Sequence, residues 1–167
     1  MATEPQHQGV AARLVEQDAE ACFSIWHQTL VCVFHGAASV EHVKLNSRLC
    51  QSLLEEARGP VTCISVIERS SPPPADRVRR ELAVWSRDVV PRLAVAVMVA
   101  EGGGFRSALV RGVGVALTAL MPHRVPFTFT TSVDDAVRVL GPYLPTRCGG
   151  PAELAAEIAR IRAAWRP

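Results

Sequence analysis

The sequence predicts an α/β fold: a single mixed, five-stranded sheet opened by an N-terminal β-hairpin, with helices packed on it and one extra C-terminal helix. Three observations predict it. Short apolar runs rich in Val, Ile, Phe and Cys alternate with longer segments whose apolar residues recur at helical spacing. Gly- and Pro-containing breaks separate most of these runs. The chain has 167 residues, 49% hydrophobic and 20% charged, which suits one domain with a buried core.

Residues 1–20 are polar and mixed, and are expected to form a flexible arm. The domain proper is expected over 21–144, followed by a linker and an amphipathic helix over 145–167. Two β-rich runs, Cys22–Trp26 and Thr29–Gly36, are separated by His27-Gln28 and read as a hairpin. The second run is almost wholly apolar, as expected of a strand covered on both faces.

Ser39 is placed to cap a helix reaching about Arg58, with Val40, Val43, Leu49, Cys50, Leu53, Leu54 and Ala57 on one side. Gly59-Pro60 stops it, and Val61–Ile67 is the next strand. Ser70-Ser71-Pro72-Pro73-Pro74 breaks the chain before a second helix over Ala75–Val90. Val78, Leu82, Trp85 and Val89 share a face of that helix. Leu93–Ala100 reads as the most buried strand, and Glu101 to Gly104 turns the chain into a third helix over about 105–120. Phe127–Thr130 is the fifth strand. Ser132 caps a short helix over Val133–Leu140, ended by Gly141-Pro142. The last helix, Pro151–Trp165, carries Leu154, Ile158, Ile161 and Trp165 as an apolar stripe, which must dock on the domain or on a partner.

Composition excludes several classes of function. A formal charge of +2, from 18 basic and 16 acidic residues, is too small for an electrostatic nucleic-acid or anionic-membrane binder. The longest apolar run, Leu93–Ala100, is far short of the roughly 20 residues of a membrane span. The first residues have no basic n-region or apolar h-region, so a cytoplasmic protein is expected. Lys44 is the single lysine, and this Arg preference with abundant Ala, Val and Pro suggests a high-GC bacterial genome.

The five cysteines include no C-x-x-C pair, and Cys32, Cys50 and Cys63 sit in apolar segments as small hydrophobes. Cys148, between Arg147 and Gly149, is the one expected to be exposed. His27, His35, His42 and His123 show no ligand spacing with one another or with a carboxylate, so neither a metal nor a cofactor is expected.

The order of elements over about 21–143 resembles the STAS fold of the anti-sigma-factor antagonists and their SpoIIAA-like relatives. Three features carry the resemblance: the hairpin leading through Phe34-His35-Gly36 into a helix, the strand Val61–Ile67 feeding a helix, and the strand Ala94–Ala100 followed by helix, strand and the short helix from Ser132. In phosphorylated members, an Asp-Ser-Gly or Asp-Ser-Ser-Gly segment lies where the third strand meets its helix. Here that junction reads Glu68-Arg69-Ser70-Ser71-Pro72-Pro73-Pro74-Ala75-Asp76-Arg77, without Asp-Ser-Gly. Asp76 falls near the place of the switched serine, where its charge favours the helix dipole.

The resemblance implies a non-enzymatic regulatory or adaptor protein that recognises a protein partner, a regulator or kinase-like protein. The expected surface lies around the loops 69–76 and 102–107, with Ser70, Ser71, Asp76, Arg79, Gly103, Phe105, Arg106 and Ser107 as its contact residues. Ser70 and Ser71 read as a helix cap and turn that would also suit a phosphate. The segment from Gly102 to Ser107 follows a strand and opens a helix, so its backbone N–H groups and Arg106 suit an anion. Its spacing matches neither G-x-G-x-x-G nor a P-loop, and a tight turn is the simpler reading. Arg79, Arg80 and Arg87 offer contacts to an acidic partner. The C-terminal helix is the element expected to form any homodimer. The alternative is a small-molecule or lipid carrier of SpoIIAA-like form. A third option is an enzyme using Glu101, at a strand end, with a histidine.

Overall fold

The computed structural model describes residues 11–102, 112, 126–145 and 149–165. The predicted helix over 105–120, the contact residues Gly103, Phe105, Arg106 and Ser107, and also His123 and Cys148, lie outside them. Among the described residues the protein is α/β, with four α-helices and one six-stranded mixed sheet.

The strands are β1 (Arg13–Gln17), β2 (Ala21–Trp26), β3 (Thr29–Phe34), β4 (Thr62–Ile67), β5 (Val95–Ala100) and β6 (Phe127–Thr130). They lie side by side in chain order. β1, β2 and β3 pair antiparallel, and β3 through β6 run parallel. The helices are α1 (Val40–Glu56), α2 (Asp76–Asp88), α3 (Val133–Leu140) and α4 (Gly150–Trp165).

The expectation of five strands is corrected to six. Residues 13–17, assigned to a flexible arm, form the edge strand β1 against β2, with a bulge between Leu14 and Glu16. Leu14 is largely exposed and Val15 only half-buried, so this strand lacks the buried alternating face by which strands are recognised in sequence. Its anchor is remote: the Ala12 N–H donates to Glu157 Oε1 on α4 at 2.5 Å. Helix α2 also ends earlier than expected, because Pro91 falls in a 3-10 turn over Val90–Arg92 that leads into β5.

A parallel sheet with its strands in chain order dictates where the crossover helices go. Right-handed crossovers that always step the same way land on the same face. Accordingly α1 and α2 share one core with Phe23, Leu30, Cys32, Cys63 and Ala96. The opposite face, formed by Val31, Val33, Ile64, Val66, Val97 and Val99, is left to whatever follows β6. Helices α3 and α4 cover it with Val137, Leu140, Leu154, Ile158 and Ile161. Of the two places expected for the apolar stripe of α4, the domain or a partner, the stripe takes the domain.

Local sequence explains the helix starts. Ser39 accepts from the His42 N–H, and His42 Nδ1 accepts from the Ser39 N–H, a reciprocal capping box. Ser132 accepts from the Asp135 N–H at 3.1 Å. Helix α2 has no side-chain cap, since Ala75 holds the cap position.

If α4 secures the second face, Leu154→Ala should cost about 2–5 kcal/mol. Ala163→Ser, on the exposed side, should stay within about 0.5 kcal/mol. Urea unfolding followed by circular dichroism measures both, and a near-neutral Leu154→Ala would contradict this docking.

Candidate functional site

The C-terminal ends of the parallel strands form one rim. Phe34, Ile67 and Ala100 lie in register across β3, β4 and β5. The next residue on each strand is therefore aligned as well: His35, Glu68 and Glu101. Their N–H groups extend the ladder, from Glu68 to Phe34 O at 2.9 Å and from Glu101 to Ile67 O at 3.0 Å. Strand alternation directs all three side chains to the face that carries Val33, Val66 and Val99, beneath α4.

Arg162, near the end of α4, closes this row. Its Nε donates to Glu68 Oε1 at 2.6 Å. Its Nη1 and Nη2 donate to the two oxygens of Glu101 at 2.8 and 2.9 Å. The Glu68, Glu101 and Arg162 side chains are only 15%, 22% and 23% exposed, so one guanidinium holds two poorly solvated carboxylates. Burial pushes the Glu68 carboxyl up, but hydrogen bonds from His35 and Arg162 and the Arg162 charge outweigh it and hold it below its ordinary value. Burial likewise pulls Arg162 down, and the two carboxylates more than reverse that.

On its other side Glu68 Oε2 lies 2.7 Å from His35 Nδ1, and Ser70 Oγ lies 3.2 Å from that nitrogen. Ser, His and Glu in contact invite comparison with a nucleophilic triad. In a triad the carboxylate and the serine use opposite imidazole nitrogens, so that one donates while the other accepts. Here both contacts converge on Nδ1, which bears one proton at most. The Ser70 hydroxyl is moreover given to His35 O at 2.5 Å. The arrangement fixes a loop and leaves the serine unactivated.

Ser71 completes that clasp, donating through Oγ to Gly36 O at 2.7 Å and through N–H to Glu68 O at 3.0 Å. The two serines thus bind the loop after β4 to the loop after β3. This corrects the expectation that they cap α2, which starts five residues beyond Ser71, at Asp76. Asp76, in the first turn of α2, pairs with Arg79, whose Nη1 also donates to Pro74 O at 2.8 Å. Arg69, Ser70, Pro72, Pro73, Ala75 and Asp76 remain exposed.

A cleft of about 360 Å3 opens on the rim between β5 and β6. Arg69, Glu101, Gly102, Arg162 and residues 131–134 line it. Its cause is topological. The connection after β4 leads to the face of α1 and α2, and the connection after β6 leads to the face of α3 and α4. Connections that part to opposite faces leave a crevice at the strand ends.

The histidines were expected to have no carboxylate at ligand spacing, yet two meet one in space. His35 meets Glu68, 33 residues away, and His42 Nε2 meets Asp18 Oδ2 at 2.8 Å, 24 residues away. Among the described residues, no group of three or more His, Cys, Asp or Glu side chains is placed to hold a metal ion. Cys32, Cys50 and Cys63 are buried around Asn46, whose Nδ2 lies 3.3 Å from Cys32 Sγ and whose Oδ1 accepts from Cys50 Sγ at 3.4 Å. Burial pushes the Cys32 thiol up, as expected of an inert core cysteine.

Sequence reasoning reached Glu101 and both serines but missed Glu68 and Arg162. A signal for Glu68 was present, since it and Glu101 each follow directly on an apolar strand run. Nothing local marks Arg162, whose partners lie 94 and 61 residues away. No protein-family model matches this chain, and no curated protein matches it.

Removing the clasp tests its energetics. Arg162→Met leaves Glu68 and Glu101 without their cation and should cost about 2 kcal/mol at neutral pH, less than a fully buried pair because all three groups keep some solvent contact. In the wild type the lowered Glu68 carboxyl contributes stability that is fully present above its ordinary value of 4.5 and is lost as pH falls through its folded value. Urea midpoints between neutral pH and about pH 3 should therefore fall less in Glu68→Gln than in the wild type. The Arg162→Met deficit should shrink over the same range; a deficit that stays constant with pH would count against an ionic clasp.

Proposed function

We propose that this chain is a non-enzymatic regulatory adaptor of STAS/SpoIIAA-like form, engaging a protein partner through the rim around loops 69–76 and 102–107. The observation that carries this reading is the fixed, exposed loop after β4. Ser70 and Ser71 tie its start to His35 and Gly36. Arg79 holds its end through Pro74 O. Three consecutive prolines stiffen the middle. A loop already held in one conformation loses little entropy on binding, so its exposed Arg69, Pro72 and Pro73 are suited to recognition.

The chemistry of the rim supports recognition over catalysis. Glu101, the residue considered for an enzyme, has both oxygens engaged by Arg162, and Ser70 is not activated by His35. The carrier alternative retains one feature in its favour, the rim cleft. The charges of Arg69, Glu101, Asp134 and Arg162 on its walls suit a polar molecule rather than an acyl chain.

A photo-activated cross-linker placed at Pro73, with a second at Glu55 on α1 as control, tests the reading in cells that make this protein. Pro73 should give one discrete protein adduct, and Glu55 should give none. Releasing the loop with Ser70→Ala and Ser71→Ala together should reduce the adduct roughly tenfold in a variant that stays folded. Equal adducts from both positions, or none from Pro73, would overturn it.

A further inference from the structure

We propose that the rim cleft binds a small zwitterion of the free amino-acid class, a site that goes beyond partner recognition and does not depend on it. The argument rests on which charges in the cleft are already satisfied. Arg162 and Glu101 engage one another through a two-pronged contact, and Arg162 also serves Glu68. Among the described residues, Arg69 and Asp134 both face the cleft and neither has an ion-pair partner. They belong to different strand ends, one after β4 and one after β6, and do not pair with each other. The cleft therefore offers one open positive and one open negative charge beside the paired Arg162 and Glu101.

That pattern selects a ligand. A lone anion drawn to Arg69 would meet Asp134 and Glu101. A lone cation drawn to Asp134 would meet Arg69. A molecule with a carboxylate at one end and an ammonium group at the other satisfies both charges. Thr131, in the lining, adds a hydroxyl that makes no hydrogen bond among the described residues. The volume of about 360 Å3 lies at the small end of ligand sites.

Arg69 is also held in place. Gly102 has φ +106, a conformation open to glycine, and a Cβ there would lie 3.2 Å from Arg69 Cγ. The missing side chain lets the Arg69 stem lie against Gly102, and both residues line the cleft. An arginine laid down in this way loses less freedom on capturing a carboxylate than one waving in solvent.

Isothermal titration of the whole chain with each free α-amino acid tests the site. One or a few should bind with Kd below about 1 mM. Arg69→Gln and Asp134→Asn should each weaken binding at least roughly tenfold in a protein that stays folded, Asp134→Asn losing in stability only its small contribution to the first turn of α3. The N-acetyl and methyl-ester derivatives of the bound amino acid, which remove one charge each, should both fail to bind. The proposal is overturned if no amino acid binds, if binding survives both substitutions, or if the N-acetyl form binds equally, which would mark a simple anion site. The Pro73 cross-link should persist in Asp134→Asn, whose position lies outside the proline loop, so loss of the ligand site and loss of the partner surface are read separately.

Discussion

A parallel sheet built in chain order covers only half of itself. The right-handed crossovers from β3 to β4 and from β4 to β5 return their helices to the same side, and that side is packed by α1 and α2. The other side presents Val31, Val33, Ile64, Val66, Val97 and Val99, which would be intolerable in water. The chain meets this constraint after β6, by turning α3 and α4 onto the bare face. The remaining features of the molecule, including its rim and cleft, follow from that reversal.

The reversal brings the end of α4 over the strand ends, where alternation has set His35, Glu68 and Glu101 facing the same way. Two carboxylates at such a place would repel each other and lose hydration. Arg162 answers both at once, and the contact ties the last turn of the last helix to the middle of the sheet. Nearby, Trp165 Nε1 donates to Asp18 O at 2.9 Å, and its ring meets that of His35 edge-on at 5.7 Å. Together these contacts join the two ends of the described chain to one rim.

What the rim offers is fixed geometry. Its polar groups largely satisfy one another: Glu68 serves both His35 and Arg162, and the serines serve backbone carbonyls. Such internal satisfaction suppresses nucleophilic chemistry and favours a rigid surface. The groups left over, the Arg69 and Asp134 charges with the stiff proline loop, are the ones positioned to meet something else. A partner on the loop and a small molecule in the cleft would share Arg69, which gives the two proposed events a physical point of contact.

Element type was legible in the sequence wherever residues choose their structure locally. The apolar runs of β3, β4 and β5, the Ser39 and Ser132 caps and the stripes of α1 and α2 all act within a few residues, through periodicity and capping. The strand β1 was not legible, because its exposed residues owe their conformation to pairing with β2 and to Glu157 on a distant helix. Sequence placed Glu101 at a strand end and the serines at a strand-to-helix junction, yet could not say what they touch. Register across β3, β4 and β5, the choice of the bare face for α4, and the meeting of Arg162 with Glu68 and Glu101 were decided only in three dimensions. They depend on contacts between residues many tens of positions apart, for which one chain read along its length holds no periodic signal.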